Sequence, residues 1–424
     1  MNRFMQRALR ACLVILIHLL ALPLAAEPLS LRDAVQAALA DNPELQLFEF
    51  EFRAQDARSA QAALRPAPEV SMSMENFAGT GEAARADSAE FTLALSQILE
   101  LGGKRDARIA VSGAGRGLLE VQRKSRQLDV LAEVTRRFIV VVAAQERQRL
   151  ADDAVALAVQ TVAGSEKRVK AARSPHAELD RARIALDRAR LDQRRAQIQL
   201  DTGRRQLAAS WGETRSRING AEFGDLEARL FPLPEPGEYD ELVERLAGNP
   251  DFLQFASEER LRDAEIRLAT TARKPDITFG GGLRQLEASS DQAFVASISM
   301  PLFPAKRAQG RIAEMRANRE LLDVDRRIAE VRAEAMLFEL HHELAGAVQE
   351  ATALRTLILP RAEEALRETR YAWERGRFGY LELVDAQREY LQLQETLIDV
   401  AASAHTLRAE IERLGNAPLV ASTP

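Results

Sequence analysis

Thiols are nearly missing from this 424-residue chain. Its one cysteine, Cys12, lies where Arg3, Arg7 and Arg10 precede an apolar run from Ala11 to Leu22, followed by Pro23 and Ala25-Ala26. That order reads as a secretory leader over residues 1–26, cut after Ala26, because the run is shorter than the ~20 apolar residues a spanning helix needs. Removal of the leader leaves no thiol, which excludes disulfides, thiolate-bound metal and a cysteine nucleophile. A basic excess is missing as well. The formal net charge is −5 and the arginines are interleaved with acids, as on solvated helix faces, so nucleic acid is not an expected partner.

Catalytic signatures are equally incomplete. His342-Glu343 begins like a zinc-protease helix motif, but Gly346 stands where the second ligand is required. His341 and His342 are adjacent and point about 100° apart on a helix, which suits a solvated face. Gly113, Gly115 and Gly117 follow a predicted helix instead of a strand, and Gly102-Gly103-Lys104-Arg105 lacks the hydroxyl residue a phosphate-binding loop uses to hold magnesium. Both glycine clusters read as punctuation at a helix start. No cofactor and no catalytic residue is expected, and a secreted metallohydrolase is the weaker rival.

What the chain does have, it has twice. Residues 39–77 align without a gap on 246–284, bringing Leu39-Ala40-Asp41-Asn42-Pro43 onto Leu246-Ala247-Gly248-Asn249-Pro250, and Phe91 to Ala110 falls on Phe294 to Ala313. A repeat this long is a whole substructure and not a solenoid unit. The expected organisation is a first repeat over 27–210, a surface linker over 211–240 marked by Pro232, Pro234 and Pro236, a second repeat over 241–415, and a frayed tail, 416–424.

Each repeat predicts the same elements. No proline interrupts 103–173, where apolar residues recur at threes, fours and sevens; the equivalent 305–375 has only Pro360, which should bend the helix rather than end it. At 1.5 Å per residue such rods reach roughly 100 Å. Return helices follow over 175–210 and 380–414. The second carries a heptad seam from Leu383 to Leu414; the first carries the matching seam from Leu179 to Leu207 and a second row, Ile184, Leu191 and Ile198, that implies neighbours on two flanks.

Four segments alternate with a period of two: about 69–77, 89–98, 276–286 and 292–300. Val70, Met72, Phe91, Leu93, Leu95, Ile277, Phe279, Phe294 and Ile298 mark the lipid-facing side of strands long enough to cross a bilayer when tilted. Four strands cannot close a barrel, and an open edge in lipid leaves backbone groups unpaired at several kcal/mol each. Copies of the chain must therefore pool their strands. A soluble periplasmic coiled-coil adaptor, which would lack lipid-facing alternation, is the binding-module rival.

At the second tight turn, Gly376-Arg377-Phe378-Gly379-Tyr380-Leu381-Glu382-Leu383-Val384-Asp385, two carboxylates share one face of a helix's first turn. They complement the helix N-terminus, and in a symmetric ring they would also surround the axis with negative charge.

With the duplicated Leu-Ala-x-Asn-Pro opening, strand pairs between long helices and Ile298-Ser299-Met300-Pro301-Leu302-Phe303 after the last strand, the chain resembles the TolC family of outer-membrane efflux channels. Leu99-Glu100-Leu101-Gly102-Gly103-Lys104-Arg105 with Arg108 is similar to the branch serving heavy-metal efflux of the cobalt-zinc-cadmium type. The resemblance implies a mainly α fold with a membrane β-barrel contribution, in which long antiparallel coiled-coil helices and four transmembrane strands per protomer build a homotrimeric α/β barrel channel. It implies a passive outer-membrane exit duct with a periplasmic helical extension, a periplasmic adaptor and an inner-membrane RND pump as partners, and multidrug efflux or type I secretion as alternatives. Matched along the turn, Glu382 and Asp385 fall on the family's constriction acids, Gly376 on its turn glycine and Trp373 on its gating tyrosine. Its gating arginine has no counterpart: Phe378 stands there, with Arg377 one step away.

Overall fold

The structure is a computed structural model that describes residues 28–83 and 85–416. The expected leader, 1–26, and the tail beyond Asn416 lie outside the described residues. Elements run α1 (Leu31–Asp41), α2 (Pro43–Ala62), β1 (Glu69–Glu75), β2 (Glu90–Leu99), α3 (Lys104–Lys170), α4 (His176–Ala208), β3 (Arg217–Ile218), β4 (Ala221–Glu222), α5 (Tyr239–Leu246), α6 (Pro250–Thr271), β5 (Ile277–Leu286), β6 (Asp291–Ser299), α7 (Pro304–Ala353), α8 (Leu359–Glu374) and α9 (Tyr380–Leu414). The boundaries expected for the long elements shift by a few residues at most. Between α7 and α8 the helix continues through a π-helical turn, Leu354–Ile358, directly before Pro360. The helix therefore runs on past the proline, since a wider turn accommodates the missing amide.

The duplicated opening has a capping rationale. Asn42 Oδ1 accepts from the amides of Glu44 (2.9 Å) and Leu45 (3.3 Å), and Asn249 Oδ1 accepts from Asp251 (2.8 Å). Proline follows each asparagine at the first helical position, where no amide hydrogen is needed.

Two compact units form, and neither is a sequence repeat. One is drawn from the chain up to Leu45, Arg126–Leu246 and Glu334 onward; the other from Gln46–Ser125 and Ala247–Ala333. The expectation that each half folds as a whole substructure is thus corrected: a half supplies only part of each unit. In the second unit the sheet order is β1-β2-β5-β6, all antiparallel, so the two hairpins, one from each repeat, share one sheet through β2 and β5.

The first unit holds the main core, built on Val134, Phe138 and Val141 of α3, Leu200 and Leu207 of α4, and Ala34 and Ala38 of α1. Trp211, Phe223, Leu226 and Leu230 join it. The segment read as a surface linker is therefore buried at Trp211, Phe223, Leu226 and Leu230, and its backbone is paired too: Leu29 donates to Asp225 O and Glu227 to Leu29 O. Helical side chains hold the proline-rich stretch by its carbonyls, Arg355 at Phe231, His405 at Leu230 and Arg408 at Glu235. His341, expected on a solvated face, is half-buried and bonds Gly237 O at 3.0 Å, while His342 stays exposed.

The heptad seam of α4 is buried or half-buried along its length, while Ile184, Leu191 and Ile198 are exposed. The second flank has no neighbour among the described residues. Gly113, Gly115 and Gly117 lie inside α3 and do not punctuate its start; Gly102 and Gly103 do, with φ of +84° and +75°.

Candidate functional site

The sheet sorts its side chains strictly. Residues paired across strands share a face, and the register places Val70 opposite Leu95, Met72 opposite Leu93 and Leu93 opposite Leu283, while Phe279 meets Ile298 and Ile277 meets Leu99. All nine residues expected to face lipid fall on this one side. Its polar members are the uncharged Gln97, Gln285 and Gln292. Phe294 is 91% exposed and Met72 81%, so the side is apolar yet bare in the single chain. Every charged strand residue, Glu69, Glu75, Glu90, Arg284 and Asp291, lies on the opposite side, mostly among Ser, Thr, Ala and Gly, with Ile98, Leu286 and Val295 the apolar exceptions. Glycine is required there at Gly282, where a Cβ would lie 2.7 Å from Ala94 Cα and overlap the Leu93 carbonyl.

Behind the strands, the Gly-Gly-Lys-Arg segment is a clamp. Gly102 packs against Lys274; Lys104 pairs with Asp276 at 2.6 Å, which also accepts from the Leu101 amide at 3.2 Å. Arg108 forms a two-pronged pair with Glu100, and its hydrogen bond holds the Glu100 carboxyl below the usual carboxylate range. Arg108 and Arg105 also donate to the carbonyls of Leu64 (3.0 Å) and Ala63 (2.6 Å), just past the end of α2.

In the other unit, the turn after α8 closes by Gly376 N to Trp373 O (2.9 Å) and Arg377 N to Ala372 O (2.9 Å), with Gly376 at φ +75°. Trp373 is 3% exposed and packs with Leu366 and Leu383. Its ring also fills the space over Gly164 of α3, where a Cβ would come within 2.6 Å of Trp373 Cζ3. Arg168, one turn further along α3, donates to Trp373 O, lies 5.4 Å from the ring centroid and reaches Ser174 Oγ (2.9 Å) and Glu178 Oε1 (3.4 Å). Burial, reinforced by the Glu178 carboxylate, pushes the neighbouring Tyr380 hydroxyl up. Arg370 to Gln160 (3.2 Å) and Gln387 to Thr161 (3.0 Å) join the same two helical hairpins.

The predicted turn residues thus separate into two sets. Trp373 is buried and Gly376 closes the turn; Arg377, Phe378, Glu382 and Asp385 are exposed, with Asp385 only loosely paired to Arg388 at 3.5 Å. Glu382 and Asp385 stay on one open face, as their spacing implies, and are not brought to Trp373. The sequence reading missed Arg168 and Gly164.

The family profile described as outer membrane efflux protein matches residues 34–213 and 242–417. The chain belongs to that family. It is 26% identical over 392 residues to the cobalt-zinc-cadmium resistance protein CzcC of Cupriavidus metallidurans, covering 92% of this chain and 90% of that one. It is 23% identical to the nickel-cobalt-cadmium resistance protein NccC of Alcaligenes xylosoxydans xylosoxydans over 64% of this chain and 61% of that one. Among solved structures, the outer-membrane channel OprN matches with a TM-score of 0.71 at 19% identity, covering 92% of this chain and 90% of that one. CusC matches with 0.67 at 19% identity and 92% of both chains. Fold and family place the protein in the outer membrane as an efflux component, and the resemblance drawn from the motifs holds.

Proposed function

We propose that copies of this chain, three as in the resemblance drawn above, pool their sheets into one outer-membrane barrel that serves as the passive exit duct of a tripartite system. Its cargo is heavy-metal cations. An inner-membrane RND pump supplies the work and a periplasmic adaptor opens the helical end. The observation that carries the reading is the sheet with one uncharged apolar side and two unpaired edges, β1 and β6. Exposed heptad-spaced stripes support it: Leu47, Phe50, Ala54 and Ala57 on α2, and Leu321, Val324, Ile328 and Val331 on α7. A neighbouring copy would cover them. The metal cargo rests on the names of the two resistance relatives. Glu382 and Asp385 would ring the periplasmic entrance and favour cations, while Trp373, seated on Gly164 and held by Arg168, keeps that end shut. No catalytic step is involved.

Deleting the gene tests the cargo. Tolerance to cobalt, zinc, cadmium or nickel should fall while tolerance to a hydrophobic antibiotic stays; a loss confined to the antibiotic would favour multidrug efflux instead. The barrel is tested by Leu93→Arg. An arginine at mid-bilayer depth costs roughly 2–4 kcal/mol per copy, so the variant should be depleted from outer-membrane fractions, whereas Ser71→Arg on the opposite side should be retained. Equal recovery of the two would contradict the assignment of faces, and loss of Ser71→Arg alone would put the opposite face in lipid.

A further inference from the structure

The polar side of the sheet is almost bare. Its successive rows read Glu69, Ser96, Gly280, Ser297; then Ser71, Ala94, Gly282, Val295; then Ser73, Thr92, Arg284, Ala293; then Glu75, Glu90, Leu286, Asp291 at the hairpin end. One long cation therefore rises from a carpet of small residues, beside a row with three carboxylates. Arg284 Nη1 pairs with Glu90 Oε2 at 2.6 Å, its Nη2 stands 3.6 Å from Glu75 Oε2, and its Nε donates to Thr92 Oγ1 at 3.0 Å. Asn76 Nδ2 donates to the other Glu90 oxygen at 2.9 Å. Arg284 is so held across three strands, and about a third of its side chain remains exposed.

We propose that Arg284 is the specificity-determining residue at the hairpin end of the duct: it offsets part of the carboxylate row and so sets how strongly the exit draws cations and repels anions. The inference rests on the reading of the polar side as lumen. Three carboxylates against one guanidinium leave each copy negative, and repetition around an axis multiplies that bias. The row on its other side, Ser71, Ala94, Gly282 and Val295, holds no long side chain to screen it. Because the pair is desolvated on one side by the sheet, its field reaches passing ions less damped than a fully solvated pair would allow.

Cys12 falls in the expected leader, so a reporter cysteine in the processed protein is unambiguous. Ser73→Cys, in the same row as Arg284, is labelled in full-length protein in lipid nanodiscs with a cationic and an anionic methanethiosulfonate, and the ratio of the two rates is read. R284Q should raise the cation-to-anion ratio roughly tenfold and E90Q should lower it by a similar factor, the size expected for one unit charge at contact distance in a partly screened site. The exchanged pair E90R/R284E should keep the ratio within twofold, which a purely steric role for the arginine would not require. D291N, which removes a carboxylate without touching the pair, should lower the ratio even where R284Q fails to assemble. Ratios unchanged in E90Q and D291N would overturn the inference. Met72→Cys separates it from the broader reading: protection of Met72→Cys by lipid, with Ser73→Cys reactive but insensitive to charge, sinks this inference alone, whereas equal reactivity at both positions sinks the barrel itself.

Discussion

Gly164→Val is expected to open the helical end. The added methyl groups occupy the volume of the Trp373 ring, and α3 leaves no slack, since a Cβ alone would already come within 2.6 Å of Cζ3. Overpacking of this kind costs about 1–3 kcal/mol, and the cheapest relief is to expel the indole. Expulsion also removes the stacking partner of Arg168 and loosens the turn that Gly376 closes. If the seated tryptophan is part of the shut state, that cost shifts a two-state balance by roughly tenfold to a hundredfold toward open. Single-channel conductance and open probability in planar bilayers measure it. An assembled channel that conducts like the unaltered one would remove the Gly164–Trp373 contact from the gate.

The second large effect contrasts two adjacent residues. Gly282→Val drives a side chain into the β2 backbone at Leu93 and Ala94, and a backbone cannot rotate away without breaking the β2–β5 pairing. Gly281→Val, one residue earlier, points to the apolar side, where a Cβ meets nothing within 4 Å. Assembled oligomer resistant to mild detergent should be lost with the first and retained with the second. Loss of both, or of neither, would contradict the side assignment of β5.

These contrasts show where the sequence is a sufficient guide. Strand alternation is local, with a period of two, so nine apolar positions could be assigned to one side before any pairing was known. The heptad seams were legible for the same reason: each is written along one helix. Arg168 was not, because its partner Trp373 is 205 positions away and the contact is to a backbone carbonyl, which leaves no trace in residue type. The linker was misread because its density of proline and glycine outweighed a weaker signal, the spacing of Phe223, Leu226 and Leu230, all of which are buried. The Lys104–Asp276 pair joins the two repeats across 172 positions, a partnership that the pattern within either repeat cannot show.

The order β1-β2-β5-β6 has a consequence for how copies can meet. The chain's two sheet margins are unlike: β1 comes from the first repeat and β6 from the second, and they run in opposite directions. Among copies oriented alike in one membrane, joining β6 to the next β1 continues the up-and-down sequence, whereas β1 against β1 would set two strands side by side in the same sense. In the proposed barrel, growth would then be head-to-tail, each copy adding an even number of staves until the ring meets its own beginning.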